Sequence, residues 1–244
     1  MSINYKNPPI REALIDIRID PVSTTTLDAL QNVRTGYETT FPSQEKYIEG
    51  RVEISAGEQL SSTNEARQVG WLFSSETKQR IVQAKISGYT FNWLAPYTNW
   101  NEFRDEARFW WDKYRDVVRP ERVSRVAVRY INRMDIPADA VISEYLRTRP
   151  EISPDMPQQL VAGFFMQLQM PQTDIDARLI LNQSLEASEA HDKVSIILDI
   201  AVIREIPEFE TESDMWDYFE QLRKCKNRVF QASITERMEE LFNL

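Results

Sequence analysis

Residues 96–137, PYTNWNEFRDEARFWWDKYRDVVRPERVSRVAVRYINRMDIP, change periodicity halfway along, and the fold is read outward from that change. In the first half Trp100, Phe103, Ala107, Trp110, Trp111, Tyr114 and Val118 recur at the steps that gather side chains on one side of a helix. Asn99 followed by Glu102 suits the first turn, where amide protons lack acceptors, and Pro120 stops the helix beyond Val118. The second half alternates. Val126, Val128, Tyr130, Met134 and Ile136 fall on one face of a strand over 123–136, and Arg125, Ala127, Arg129, Ile131 and Arg133 on the other. Arg125, Arg129 and Arg133 therefore project together, with roughly 13 Å between neighbours at about 3.3 Å of rise per residue.

That stripe has two chemical readings. The guanidinium groups pair with carboxylates from adjacent strands, as opposite charges do across a ladder. Alternatively they grip a phosphate, a nucleotide, an RNA or an acidic partner segment, for which the fork of Arg donors is suited. From Arg115 to Arg133 six arginines stand against Asp116 and Glu121, in a chain of net charge −9. Asp199 bears on the choice. It lies in VSIILDIAVI (194–203), where an unpaired carboxylate would be costly, so Arg129 or another stripe arginine is expected opposite it.

The chain's 244 residues suffice for a substantial core. Six glycines, with no GxxxxGK[ST] and no GxGxxG, argue against phosphate-cradling loops. A lone Cys225 and a lone His191, the latter beside Asp192 and Lys193 in turn-like surroundings, leave no basis for a disulfide, a His/Cys zinc site or a histidine-dependent triad. No catalytic or metal-binding residues are assigned and no cofactor is expected. The acidic clusters at 208–212 and 236–240 fit helix starts and solvated faces better than a metal site. The acidic balance disfavours nucleic acid and anionic membranes without removing a local basic patch. MSINYKNPPI has no signal-peptide pattern and no apolar run reaches membrane-spanning length, so a cytoplasmic protein is expected.

Taken in order, 10–19 alternates as a strand closed by Asp20-Pro21, and 22–36 reads as a short amphipathic helix ending at Gly36. Short strands follow at 47–54, 67–74, 79–86 and 89–93, with 59–65 read as an exposed polar loop. After the central helix and strand come strands at 160–170, 174–181 and 194–203, then a helix over 213–231 and a last helical turn in which Ser233 and Glu236 form a capping-box pattern. The expectation is an α+β fold, mostly antiparallel with helices on one face of the sheet, in two strands-then-helix halves. Residues 1–146 form the first half, proline-rich 147–157 the connection, and 158–244 the second, packed as one unit. Trp93, Tyr97 and Trp100, around Ala95-Pro96, read as a partner-binding surface. Trp111 joins them, because it and Trp110 point about 100° apart on the helix and one of the two should reach an edge.

The segments NPPIREALIDIRID (7–20), APYTNWNEFRDEARFWWDKY (95–114), RVAVRYINRMDIP (125–137) and CKNRVFQASITERMEELF (225–242) resemble a sporadically distributed family of uncharacterised bacterial and archaeal proteins of similar length. RYIN at Arg129–Asn132 and Phe-x-x-Ser-Ile-Thr at Phe230–Thr235 are its most specific motifs. The resemblance implies no established activity and no site residues. Its patchy distribution is similar to that of mobile defence or toxin–antitoxin cargo. The leading expectation is a non-enzymatic interaction or regulatory subunit whose partner is another protein encoded nearby, with a homo-oligomer compatible. The alternative is a nucleotide, RNA or phosphate-ligand binder using Arg125, Arg129 and Arg133, and a weaker one is a magnesium-dependent hydrolase.

Overall fold

The structure, a computed structural model, describes residues 5–56, 60–158, 161–188 and 190–243. Strand β1 is Ile10–Ile19; helix α1, Leu27–Gln31, runs into a 3-10 turn at Asn32–Arg34. Strands β2 (Ser43–Ala56), β3 (Leu60–Ser74), β4 (Arg80–Lys85) and β5 (Gly88–Leu94) form an antiparallel meander before helix α2, Trp100–Val118. Strand β6 (Val123–Pro137) opens a second run of β7 (Phe164–Gln172), β8 (Ala177–Ala187) and β9 (Lys193–Glu205), followed by helices α3 (Glu212–Ser233) and α4 (Glu236–Asn243). The nine strands make one sheet in the order β2-β3-β4-β5-β1-β6-β9-β8-β7. Each half thus lays its opening strand, β1 or β6, beside the last strand of its own meander, β5 or β9, before a long helix. This is the expected α+β fold with its repeated strands-then-helix plan.

By compactness the chain forms two units: Met1–Leu14, Leu94–Tyr97 and Arg125–Leu244 in the first, Ile15–Trp93 and Thr98–Ser124 in the second. The division runs through β1 and the start of β6, so the proline-rich 147–157 lies inside the first unit. In the second unit α2 starts where Asn99 accepts the Glu102 amide at 3.0 Å, and its apolar side packs on Tyr89, Phe91 and Trp93 of β5. Each such buried side chain contributes roughly 1.5–3 kcal/mol. Tyr89 donates to the Ala107 carbonyl at 2.8 Å and Tyr114 to that of Lys85 at 2.7 Å, so the phenols bury without losing a partner. Gly88, at φ 150°, turns the β4–β5 hairpin where a Cβ would lie 2.4 Å from the Ile17 carbonyl oxygen.

In the first unit Val126, Val128, Tyr130, Met134 and Ile136 of β6 join Ile196, Leu198, Ile200 and Val202 of β9 and Leu179 and Leu181 of β8 as a buried face. Lys226 of α3 sits over the Tyr130 ring, which places the helix on that face. The RYIN motif is spent on this framework. Arg129 turns to the other face, Tyr130 lies under α3, and Asn132 donates to the Leu198 carbonyl at 2.9 Å. In the second motif Ile234 bridges to Leu146, and the Thr235 hydroxyl accepts the Met238 amide at 3.4 Å. Thr235, rather than Ser233, therefore caps α4; the Ser233 hydroxyl donates back to Val229 at 2.8 Å.

Other expected boundaries move for local reasons. The helix expected over 22–36 shrinks because the β-branched Thr24, Thr25 and Thr26 stay outside it, Thr26 accepting the Ala29 amide at 3.1 Å. Residues 60–65, expected in a loop, belong to β3, because a long hairpin with β2 satisfies their backbone whatever their polarity; Gln59 lies outside the described residues. Leu160, expected in a strand, is likewise outside them, and β7 begins at Phe164. Asp174 to Asp176 form the turn into β8, with Asp176 at φ 47°.

Candidate functional site

The arginine stripe divides on inspection. Arg129 grips Asp199 with two bonds of 2.7 Å each, and Asn182 donates to the same carboxylate at 3.0 Å. The register sets Asp199 beside Ile131, so the pair crosses the ladder diagonally. The Asp199 hydrogen bond, ahead of burial that opposes it, raises the Arg129 pKa. Arg125 stands opposite Glu205 in the same register. The arginine expected opposite the Asp199 carboxylate is thus Arg129, whose guanidinium is committed to that pair.

Arg133 differs. Its Nε donates to Ser195 at 3.1 Å and Asp135 at 3.3 Å, and the Ser195 hydroxyl donates to Asp135 at 2.6 Å. The two terminal amino groups of this guanidinium have no partner among the described residues. Burial alone would raise the Asp135 pKa, but the Ser195 hydroxyl and the Arg133 and Arg11 guanidinium groups outweigh it and hold the carboxyl below its usual range.

Arg133 and Asp135 line a cavity of about 640 Å³, together with Asn7 to Arg11, Ala95 to Tyr97, and Leu241 and Phe242 of α4. Three backbone bonds assemble it: Asn7 N to Phe242 O (2.9 Å), Arg133 N to Pro9 O (2.9 Å) and Ala95 N to Arg11 O (2.8 Å). Pro8, Pro9, Tyr97, Met134 and Phe242 supply apolar walls, and the Ala95-Pro96 bond is cis. A second cavity of about 430 Å³ adjoins it, sharing Arg11, Arg133 and Asp135 and adding Lys193. Across both, Lys6, Arg11, Arg133 and Lys193 face the carboxylate of Asp135 in a chain of net charge −9. Lys6, Arg11 and Lys193 form no ion pair with a described residue. Such a volume, with apolar walls and a few convergent charges, has the dimensions of a small-ligand site.

Behind the wall, the Tyr97 and Tyr130 hydroxyls lie 3.2 Å apart, and Lys226 Nζ is 3.7 Å from the Tyr130 ring centre. Burial pushes the Tyr97 phenol up to about 12 and, with repulsion from Arg223, the Lys226 amine down to about 7.

Of the residues expected at a site, Arg133 and Tyr97 meet in the cavity, while Arg125 and Arg129 are not among those lining it. Trp93, Trp100 and Trp111 are only 3%, 6% and 2% exposed, which corrects their reading as a partner surface. Trp93 lies under the Arg80 guanidinium at 4.0 Å. Trp110 meets Tyr37 and Phe41 while Trp111 meets Tyr89 and Tyr114, so both flanks of α2 are covered. Sequence reasoning missed Lys6, Arg11 and Lys193, which come from separate segments with no pattern linking them. Among the described residues no group of three His, Cys, Asp or Glu side chains could hold a metal, and no helix is long and apolar enough to cross a membrane. No protein-family model, curated protein or solved structure matches the chain.

Proposed function

We propose that this protein is a regulatory binding protein whose cavity at Arg11 and Arg133 takes a small phosphate-bearing ligand of the nucleotide class. One observation carries the reading. The segments that bear the family resemblance, although far apart in the chain, each contribute to the lining of this one cavity, through Asn7 to Arg11, Ala95 to Tyr97, Arg133 to Asp135, and Leu241 and Phe242. The uncommitted amino groups of Arg133 suit two oxygens of a phosphate, Arg11 and Lys193 supply further charge, and Tyr97 and the prolines give a flat apolar group a wall. A thermal-shift series with ATP, AMP, pyrophosphate, inorganic phosphate and adenosine tests it. Phosphate-bearing compounds should raise the unfolding midpoint and adenosine should not; at about a hundredfold excess over the dissociation constant the stabilisation is about 2.7 kcal/mol. No shift with any of them, or an equal shift with adenosine, sinks the reading.

A second reading keeps the protein as an interaction subunit of a prokaryotic defence or toxin–antitoxin system, acting in the cytoplasm on a partner encoded nearby. Its support is the family resemblance together with the first unit's sheet face opposite α3, where Ala127, Ala201 and Ile203 cluster with a half-buried Ile180. Purification from the native host without any co-purifying protein would count against it. The hydrolase alternative gains no support from the described residues.

A further inference from the structure

The two edges of the sheet are protected very differently. Strand β2, at one end of the order, carries Glu45, Lys46 and Glu49, exposed charges that discourage pairing with another chain. Strand β7, at the other end, is FFMQLQMPQ, nine residues without a charge. Phe165 is 71% exposed, and Phe164, Met166, Leu168 and Met170 form an apolar row that is only half-buried. An open edge of this kind is a template for another strand.

The sequence of β7 says which strand. Met166-Gln167-Leu168-Gln169-Met170 reads the same in both directions about Leu168. An antiparallel pairing of two copies centred there sets Leu168 against Leu168, Met166 against Met170, Gln167 against Gln169 and Phe165 against Pro171. From Gly163 to Thr173 this register brings no charge against another. Backbone polarity agrees. Pro171 pairs with Arg178 of β8 and has no amide proton to give, so its position and those two and four residues before it turn their backbone groups outward. Gln167 and Gln169 then exchange both backbone bonds across the two-fold axis, for about six bonds in all once the Phe165–Pro171 pairs contribute one each.

We propose that β7 is the interface of a homodimer, two copies joining their sheets antiparallel about Leu168. This goes beyond the ligand reading and does not depend on it. An edge of this length gives a small interface, below about 1,200 Å², so the dimer should dissociate in the micromolar range.

Sedimentation velocity from about 1 to 200 µM (the concentration range that a small interface requires) tests the proposal, and charge reversal tests its register. Gln167 and Gln169 are exposed, so their replacement leaves the core untouched. Q167K/Q169K sets lysine against lysine twice and should weaken the dimer by about tenfold or more. Q167K/Q169E sets each lysine against a glutamate and should restore it. A Leu168→Cys variant should cross-link to itself on oxidation, because directly opposed residues lie within disulfide reach, whereas Gln172→Cys, far from the axis, should not. A wild-type monomer at every concentration, equal weakening by the two double variants, or cross-linking through residue 172 instead of 168 would overturn the proposal; the first outcome would leave the edge to a strand from a different protein.

Discussion

Replacing Lys226 with methionine should make the protein more stable and remove a pH dependence from its unfolding. Lys226 is 8% exposed, and its amine meets an aromatic face in place of a carboxylate. Burial, with Arg223 nearby, lowers its pKa from 10.5 to about 7. The folded state therefore disfavours the charged form. Below about pH 7 both states hold the proton and the penalty is complete; above about 10.5 neither does and the penalty is gone. Between them the unfolded chain binds more protons than the folded one, so stability rises with pH, by at most 1.36 kcal/mol per unit. The full span corresponds to a ceiling of roughly 5 kcal/mol, and the Tyr130 face offsets up to about 2 of it when the amine is charged. Lys226→Met should thus gain about 2–3 kcal/mol at pH 7, a gain that shrinks as pH rises towards 9.5. Urea unfolding followed by tryptophan fluorescence at pH 6 to 9.5 measures it. Parallel pH curves for the two proteins, or a less stable variant throughout, would refute the reasoning.

Three further outcomes are expected. Arg129→Met leaves the Asp199 carboxylate, 6% exposed, with Asn182 as its remaining hydrogen-bond partner among the described residues, and should cost about 2–4 kcal/mol in chemical denaturation, most of which Arg129→Met/Asp199→Asn recovers. Gly88→Ala puts a methyl group against the Ile17 carbonyl and should cost more than about 3 kcal/mol, read as loss of cooperative melting or of folded yield. Gln183 is 1% exposed and neither amide atom has a hydrogen-bond partner among the described residues, so Gln183→Met should stabilise by about 1–2 kcal/mol; a loss would mean that the amide is satisfied in solution.

What could be read in advance depended on whether the deciding contact was local. Helix α2 and strand β6 follow from their own periodicity, and the Arg129–Asp199 pair follows from the cost of a carboxylate in an apolar strand, which has to be met by a cation within reach. Arg133 could not be told from Arg129 in the same way. Both occupy one stripe, and their difference is set by what β9 brings alongside, a carboxylate for one and mainly the Ser195 hydroxyl for the other. Trp111 misled because the segment that covers the other flank of α2, with Tyr37 and Phe41, has no regular pattern of its own. The cavity was illegible for a related reason: Arg11, Tyr97, Arg133 and Phe242 share no spacing, and only the backbone bonds joining residues 7 with 242, 9 with 133 and 11 with 95 bring them together.

The cationic cavity is tested most directly by isothermal titration of ATP into the wild type and into Arg11→Ala/Arg133→Ala, at low and at raised salt. The wild type should bind, with affinity that falls as salt rises, and the double variant should lose at least about tenfold while melting at a similar temperature. Equal affinity in a folded double variant, or no heat of binding from the wild type at millimolar ATP, would contradict the assignment of the cavity.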